Sequence, residues 1–241
     1  MPHSSVPHPA QAAAAAAEHP QRIIRTPWGE LRPAVDLAPL LYILLLYGVV
    51  YFLPFGVFEL WRKGEDGPAE WVQFLGYAGA CLCSLLVLWQ RRRQVGRLSW
   101  IAWLLLALFC FYVAGEEISW AERLTHQGLE AIREINAQKE TNLHNLPVLQ
   151  NYLHLSFIAT GLFFGWFGWR LWPGIDALPS RWYSLYFLVV ALFYTYWDLS
   201  WITLGERIRN DQEAIEVLMA VGLFLHARSF AFPARRPESE G

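Results

Sequence analysis

Long apolar runs separated by short polar breaks organise this chain. They fall at about 37–61, 71–90, 98–118, 149–172, 182–204 and 212–228, the last being the shortest. Each is near the ~20 residues that carry a helix across ~30 Å of hydrocarbon. None alternates apolar and polar positions with period two, so the runs predict helices rather than barrel strands. The expected fold class is all-α: a polytopic membrane protein with a bundle of about six transmembrane helices. Trp61, Trp71, Trp89, Trp100, Trp120, Trp172 and Trp182 lie near the predicted ends, as an interfacial aromatic belt would. Gly76, Ala80 and Ser84, and again Gly161 and Gly165, recur every four residues, a spacing that lets helices approach closely.

The polar segments give boundaries and an orientation. Residues 1–34 combine Pro, His, Ser and an alanine run and read as a disordered cytoplasmic tail. Residues 35–228 form the transmembrane helical domain, and residues 229–241 a second disordered cytoplasmic tail. The tails and loops on one side hold Arg22, Arg25, Arg32, Arg91, Arg92, Arg93, Arg97, Arg170, Arg181, Arg228, Arg235 and Arg236, which is 12. The other side holds Arg62, Lys63, Arg123, Arg133, Lys139, Arg207 and Arg209, which is 7. Positive charge retained inside predicts that both termini are cytoplasmic. The long 119–148 loop then faces outward, and the expected location is the bacterial cytoplasmic (inner) membrane.

Composition agrees. Only 17% of residues are charged and 55% are hydrophobic, against roughly a quarter charged in soluble domains. A net charge of −2 provides no basis for binding nucleic acid. Cys81, Cys83 and Cys110 all fall inside apolar runs, in a spacing that matches neither a zinc nor a redox pattern. No phosphate-binding glycine loop or serine elbow is present.

Candidate chemistry concentrates at one predicted surface. Gly115-Glu116-Glu117-Ile118-Ser119-Trp120 places adjacent carboxylates at the end of the third run, and ionisable groups beside hydrocarbon are functional candidates by default. His154 lies about one turn into the fourth run from the same side. Asp198 lies in the fifth, and Glu213 and Glu216 open the sixth. The candidate catalytic residues are Glu117, Asp198 and Glu116. On a helix, Glu116, Trp120 and Arg123 share a face, so that Arg123 is placed to neutralise Glu116 and Glu117 to point elsewhere. A solvated helix cap is the plainer alternative. Leu129, Ile132 and Ile135 recur every three residues, which suits a short interfacial helix in this third loop. Glu140 and His144 are four apart. They serve either as a polar cap with Asn142 and Asn145, or as ligands that with His154 would hold a divalent metal such as zinc or iron.

The block GEEISWAER, followed by NAQKETNLHNL, resembles a family of uncharacterised bacterial multi-pass integral membrane proteins. Their motif runs Gly-Glu-Glu-Ile-Ser-Trp-Gly-Gln-Arg and then Asn-x-Gln-x-Glu-x-Asn-Leu-His-Asn. This chain departs from it at Ala121 and Glu122, and the resemblance is confined to about residues 114–146. It implies a membrane location and no particular reaction.

Three functions compete. One is a membrane-embedded enzyme, metal-dependent or not, with an outer-leaflet site for a membrane lipid or lipid-linked substrate. The second is a non-catalytic accessory subunit docking a partner membrane protein through 119–148. The third is a small permease that uses Asp198 and Glu116, against which stand the lack of an internal repeat and the gathering of polar groups at one surface.

Overall fold

The computed structural model describes residues 24–26, 29–53, 56–62, 67–92, 94, 96–125, 127–135, 141–143, 146, 149–200 and 211–233. The strands among them, β1 (Ile24–Thr26) and β2 (Gly29–Leu31), pair antiparallel. They fall within the 1–34 segment. Residues 1–23 and 234–241, the greater part of both expected tails, lie outside the described residues.

Everything else regular is helical. In chain order come α1 (Ala38–Gly48), α2 (Val57–Arg62), α3 (Pro68–Gln90), α4 (Arg97–Glu117), α5 (Gln150–Leu162), α6 (Ser184–Ser200) and α7 (Gln212–Ala231). α3, α4 and α7 are each long and apolar enough to cross a membrane. α5 runs on through a π turn, Phe163–Phe167, into Gly168–Leu171.

The first apolar run is not one helix. α1 ends in a 3-10 turn, Val50–Phe52, and Leu53 is extended at φ −69°, ψ 142° before α2 begins at Val57. Leu53 precedes Pro54, whose ring clashes with an α-conformation in the residue before it.

Packing follows the predicted small-residue stripes. α7 packs most extensively on α3 and also on α6, while α3 packs on α4 and α6 on α5. The order α4–α3–α7–α6–α5 makes an open ring with α7 at its centre. A Cβ on Gly76 would stand 2.9 Å from the Ala220 Cβ of α7, and one on Gly161 would stand 2.8 Å from the Ala191 Cβ of α6. These helices meet nearly backbone to backbone, which maximises dispersion contact where lipid removes any hydrophobic drive. Cys81, Cys83 and Cys110 are buried free thiols among them.

Apolar side chains occupy outer faces as well as inner ones. On α4, Trp103, Leu106 and Cys110 are buried, while Ile101, Leu105 and Leu108 are exposed. Leu75, Leu82 and Leu85 do the same on α3. A helix apolar all round suits a surface that meets hydrocarbon rather than water.

Candidate functional site

The site is built outward from the end of α4. The helix stops at Glu117, and Ser119 and Trp120 both take left-handed backbone, at φ 48° and 53°. Left-handed conformation in consecutive non-glycine residues costs energy and persists only where the surroundings over-determine it. Here they do. Trp120 folds back over the last turn, where a Cβ on Gly115 would lie 2.9 Å from its ring. Its indole Nε1 donates to Glu116 Oε1 at 2.6 Å.

The other Glu116 oxygen accepts from the Leu143 backbone N–H at 2.6 Å. Asn142, fully buried, donates from Nδ2 to Ser119 Oγ at 3.1 Å. The two polar blocks of the sequence are therefore one structure: the GEEISW turn grips the Asn142–Leu143 segment. Glu122 extends the grip. It accepts the Thr141 N–H at 2.6 Å and pairs with Arg133 Nε at 3.2 Å. At 4% exposure Glu116 is a buried acceptor, not the solvated cap that the sequence left open. The side chain of Arg123, its expected partner, lies outside the described ones.

Beneath this loop lies a cavity of about 410 Å³ between α4, α5, α6 and α7. Glu116 and Glu117 reach it from α4, His154 from α5, Tyr194 from α6, and Glu213 and Glu216 from the start of α7. Helix neighbours hold these groups. Tyr194 donates its hydroxyl to Glu216, and Gln73 of α3 donates from Nε2 to Glu213 Oε2 at 2.8 Å. Gln212 Nε2 and His154 Nε2 lie 3.0 Å apart, within hydrogen-bond reach. The imidazole also meets the Tyr194 ring edge-on at 5.2 Å. Carboxylates, an imidazole and a phenol around one space form the usual inventory of general acid–base chemistry.

Of the candidate residues, the cavity brings together Glu116, Glu117 and His154, with Glu213 and Glu216. Asp198 belongs to α6, one turn beyond Tyr194, but its side chain lies outside the described ones. Glu140 and His144 lie outside the described residues altogether. Among those described, no group of three or more His, Cys, Asp or Glu is arranged to hold a metal ion. Sequence reasoning missed Gln73, Gln212 and the role of Tyr194. Gln73 carried a readable signal, as an uncharged polar residue facing inward from an apolar helix.

Comparison of the chain with protein-family models, curated proteins and solved structures finds no match.

Proposed function

We propose that the chain is a six-span bacterial inner-membrane protein with cytoplasmic termini. On this reading it belongs with the multi-pass proteins whose GEEISW and NLHN blocks it shares. Its cavity is then the outer-leaflet active site of an enzyme that acts on a lipid or lipid-linked substrate. One observation carries the reading: ionisable side chains from α4, α5 and α7 converge on a single cavity at one end of an otherwise apolar bundle. Intramembrane ionisable groups that face a shared cavity mark functional sites.

The roles divide by what each group already does. Glu116 positions the loop through Trp120 and Leu143. Glu117, with His154, supplies acid–base catalysis within the cavity, and Asp198 adds a carboxylate one turn further out on α6. Glu140 and His144, which flank the Thr141–Leu143 segment in sequence, are with His154 the residues that would hold a divalent ion. Leu129 and Ile135 are exposed beside the helical turn Glu130–Arg133, which supports an apolar edge lying in the interface.

The test is turnover of a bacterial lipid extract by protein in nanodiscs, followed by mass spectrometry with and without added zinc or iron. A lipid converted by the wild type and spared by Glu117→Gln supports the enzyme. The exposed Leu129 and Ile135 also favour the accessory reading. A stoichiometric partner that co-purifies and is lost on Leu129→Asp, with no lipid converted, would replace the enzyme by that reading.

A further inference from the structure

Further along the bundle from the loop, the cavity has a second polar layer. Gln73, near the start of α3, bonds Glu213, near the start of α7, and Gly76 meets Ala220 beyond them. These two helices therefore run side by side in the same direction. One turn past the Gln73–Glu213 bond come Tyr77 on α3 and Glu216 on α7. Both line the cavity, and they stand close enough to interact electrostatically. Each is more than nine-tenths buried, Glu216 at 8% exposure and Tyr77 at 2%.

Their hydrogen bonding is incomplete. Tyr194 donates its hydroxyl to Glu216 Oε1, and its ring is held flat on Phe157 at 4.6 Å. Among the described residues, Glu216 Oε2 has no hydrogen-bond partner. Nor has the Tyr77 hydroxyl, whose ring meets Phe109 edge-on at 6.5 Å. Each oxygen takes its remaining hydrogen bond from whatever fills the cavity.

Tyr77 brings a proton that needs an acceptor, and Glu216 an oxygen that needs a donor. A hydroxyl is the smallest group that answers both, being donor and acceptor at once. The match holds in either protonation state of Glu216. A protonated Oε2 would donate to the hydroxyl, which would in turn donate to the Tyr77 oxygen. An ether offers only an acceptor, and an ammonium only donors. Around this layer the walls are apolar, with Val113, Leu153, Phe157 and Met219. The cavity's volume of about 410 Å³ falls within the roughly 300–1,000 Å³ of small-molecule sites.

Resting on the reading of this cavity as a lipid site, we propose that Glu216 and Tyr77 bind the free hydroxyl of a neutral lipid alcohol. Tyr194 positions Glu216 for that contact, and the hydrocarbon of the alcohol meets the apolar walls. The ring of helices is open between α4 and α5, where Tyr112 and Ser156 line the cavity and are exposed, so the alcohol enters there from the bilayer. Water offers the same donor and acceptor but no match for the apolar walls.

Photolabelling of the full-length protein in nanodiscs separates the two. The probe is hexadecanol that carries a diazirine beside its hydroxyl, and the control is the methyl ether of the same probe. The alcohol should label peptides that contain Tyr77 and Glu216 about tenfold more than the ether does, equivalent to ~1.4 kcal/mol of affinity. Tyr77→Phe removes one oxygen and no described hydrogen bond. It should lower alcohol labelling about three- to tenfold, while ether labelling and thermal unfolding stay as in the wild type. Glu216→Met should lower alcohol labelling at least as far. Leu82→Trp, exposed on α3 and not among the cavity's lining residues, should leave it unchanged. Equal labelling by alcohol and ether, or alcohol labelling indifferent to Tyr77→Phe, overturns the proposal and gives the layer to water. Alcohol-selective, Tyr77-dependent labelling without lipid turnover keeps the hydroxyl site and removes the enzyme. Turnover with labelling indifferent to Tyr77→Phe does the reverse.

Discussion

The two ends of the bundle each hold a histidine, and they treat it in opposite ways. At one end His154 is half-buried, borders a cavity and contacts Gln212. At the other, His226 has no exposed surface. Its ring stacks on Trp103 at 5.6 Å and 4°, meets Phe230 and Tyr183 edge-on, and places Nε2 3.1 Å from the Asp176 carbonyl. It does not line that cavity, and His226 Nδ1 and Trp103 Nε1 are among the buried polar atoms without a hydrogen-bond partner in the described residues. A polar residue inside a membrane bundle is thus not a site merely by being buried. The difference is whether several such groups, from different helices, look into one accessible volume.

The comparison can be broken at either end. The largest effect is expected for Glu117→Gln. It should cut turnover by about 10²–10⁴-fold, the usual contribution of a general acid or base, while leaving thermal unfolding unchanged. Trp103→Ala should do the opposite: it should cost about 3–5 kcal/mol of stability in denaturant titrations, as large aromatic deletions do, and keep the activity of the molecules that remain folded. Glu116→Gln falls between the two. Removing a charged acceptor from two hydrogen bonds should cost about 1.5–3 kcal/mol, read as faster proteolysis within 121–140 and a smaller loss of turnover than Glu117→Gln. Gly76→Ala is expected to affect turnover least but to cost about 1–3 kcal/mol of stability, because its Cβ would overpack against the Ala220 Cβ and backbone. Because it loosens the α3–α7 seam that joins both ends, it should weaken stability without selectively impairing either.

Much of this was legible in the chain. Continuous apolar runs gave the helices, since hydrocarbon leaves the backbone no other way to satisfy itself. Comparing depths along those runs placed Glu116, Glu117, His154, Asp198, Glu213 and Glu216 in one layer, and the structure finds all of them around one cavity except Asp198, whose side chain lies outside the described ones. Small-residue spacing at Gly76 and Gly161 named real helix seams. What escaped was long-range. The grip of Glu116 on Leu143 and of Ser119 on Asn142 spans more than twenty residues of loop, and no local periodicity encodes it. Glu122 looked like a mere departure from a motif, yet it anchors Thr141 and Arg133. Pro54 lies inside the apolar run 37–61, where a proline breaks the helix that the run as a whole predicts.

The central claim is that the carboxylate-lined cavity works while the His226 end only holds the bundle together. The most direct test is lipid turnover per folded molecule for Glu117→Gln beside His226→Phe in the same nanodiscs. Glu117→Gln should be folded and inactive, and His226→Phe active however much of it folds. Wild-type activity in Glu117→Gln, or a His226→Phe protein that folds but no longer turns over lipid, would contradict the account.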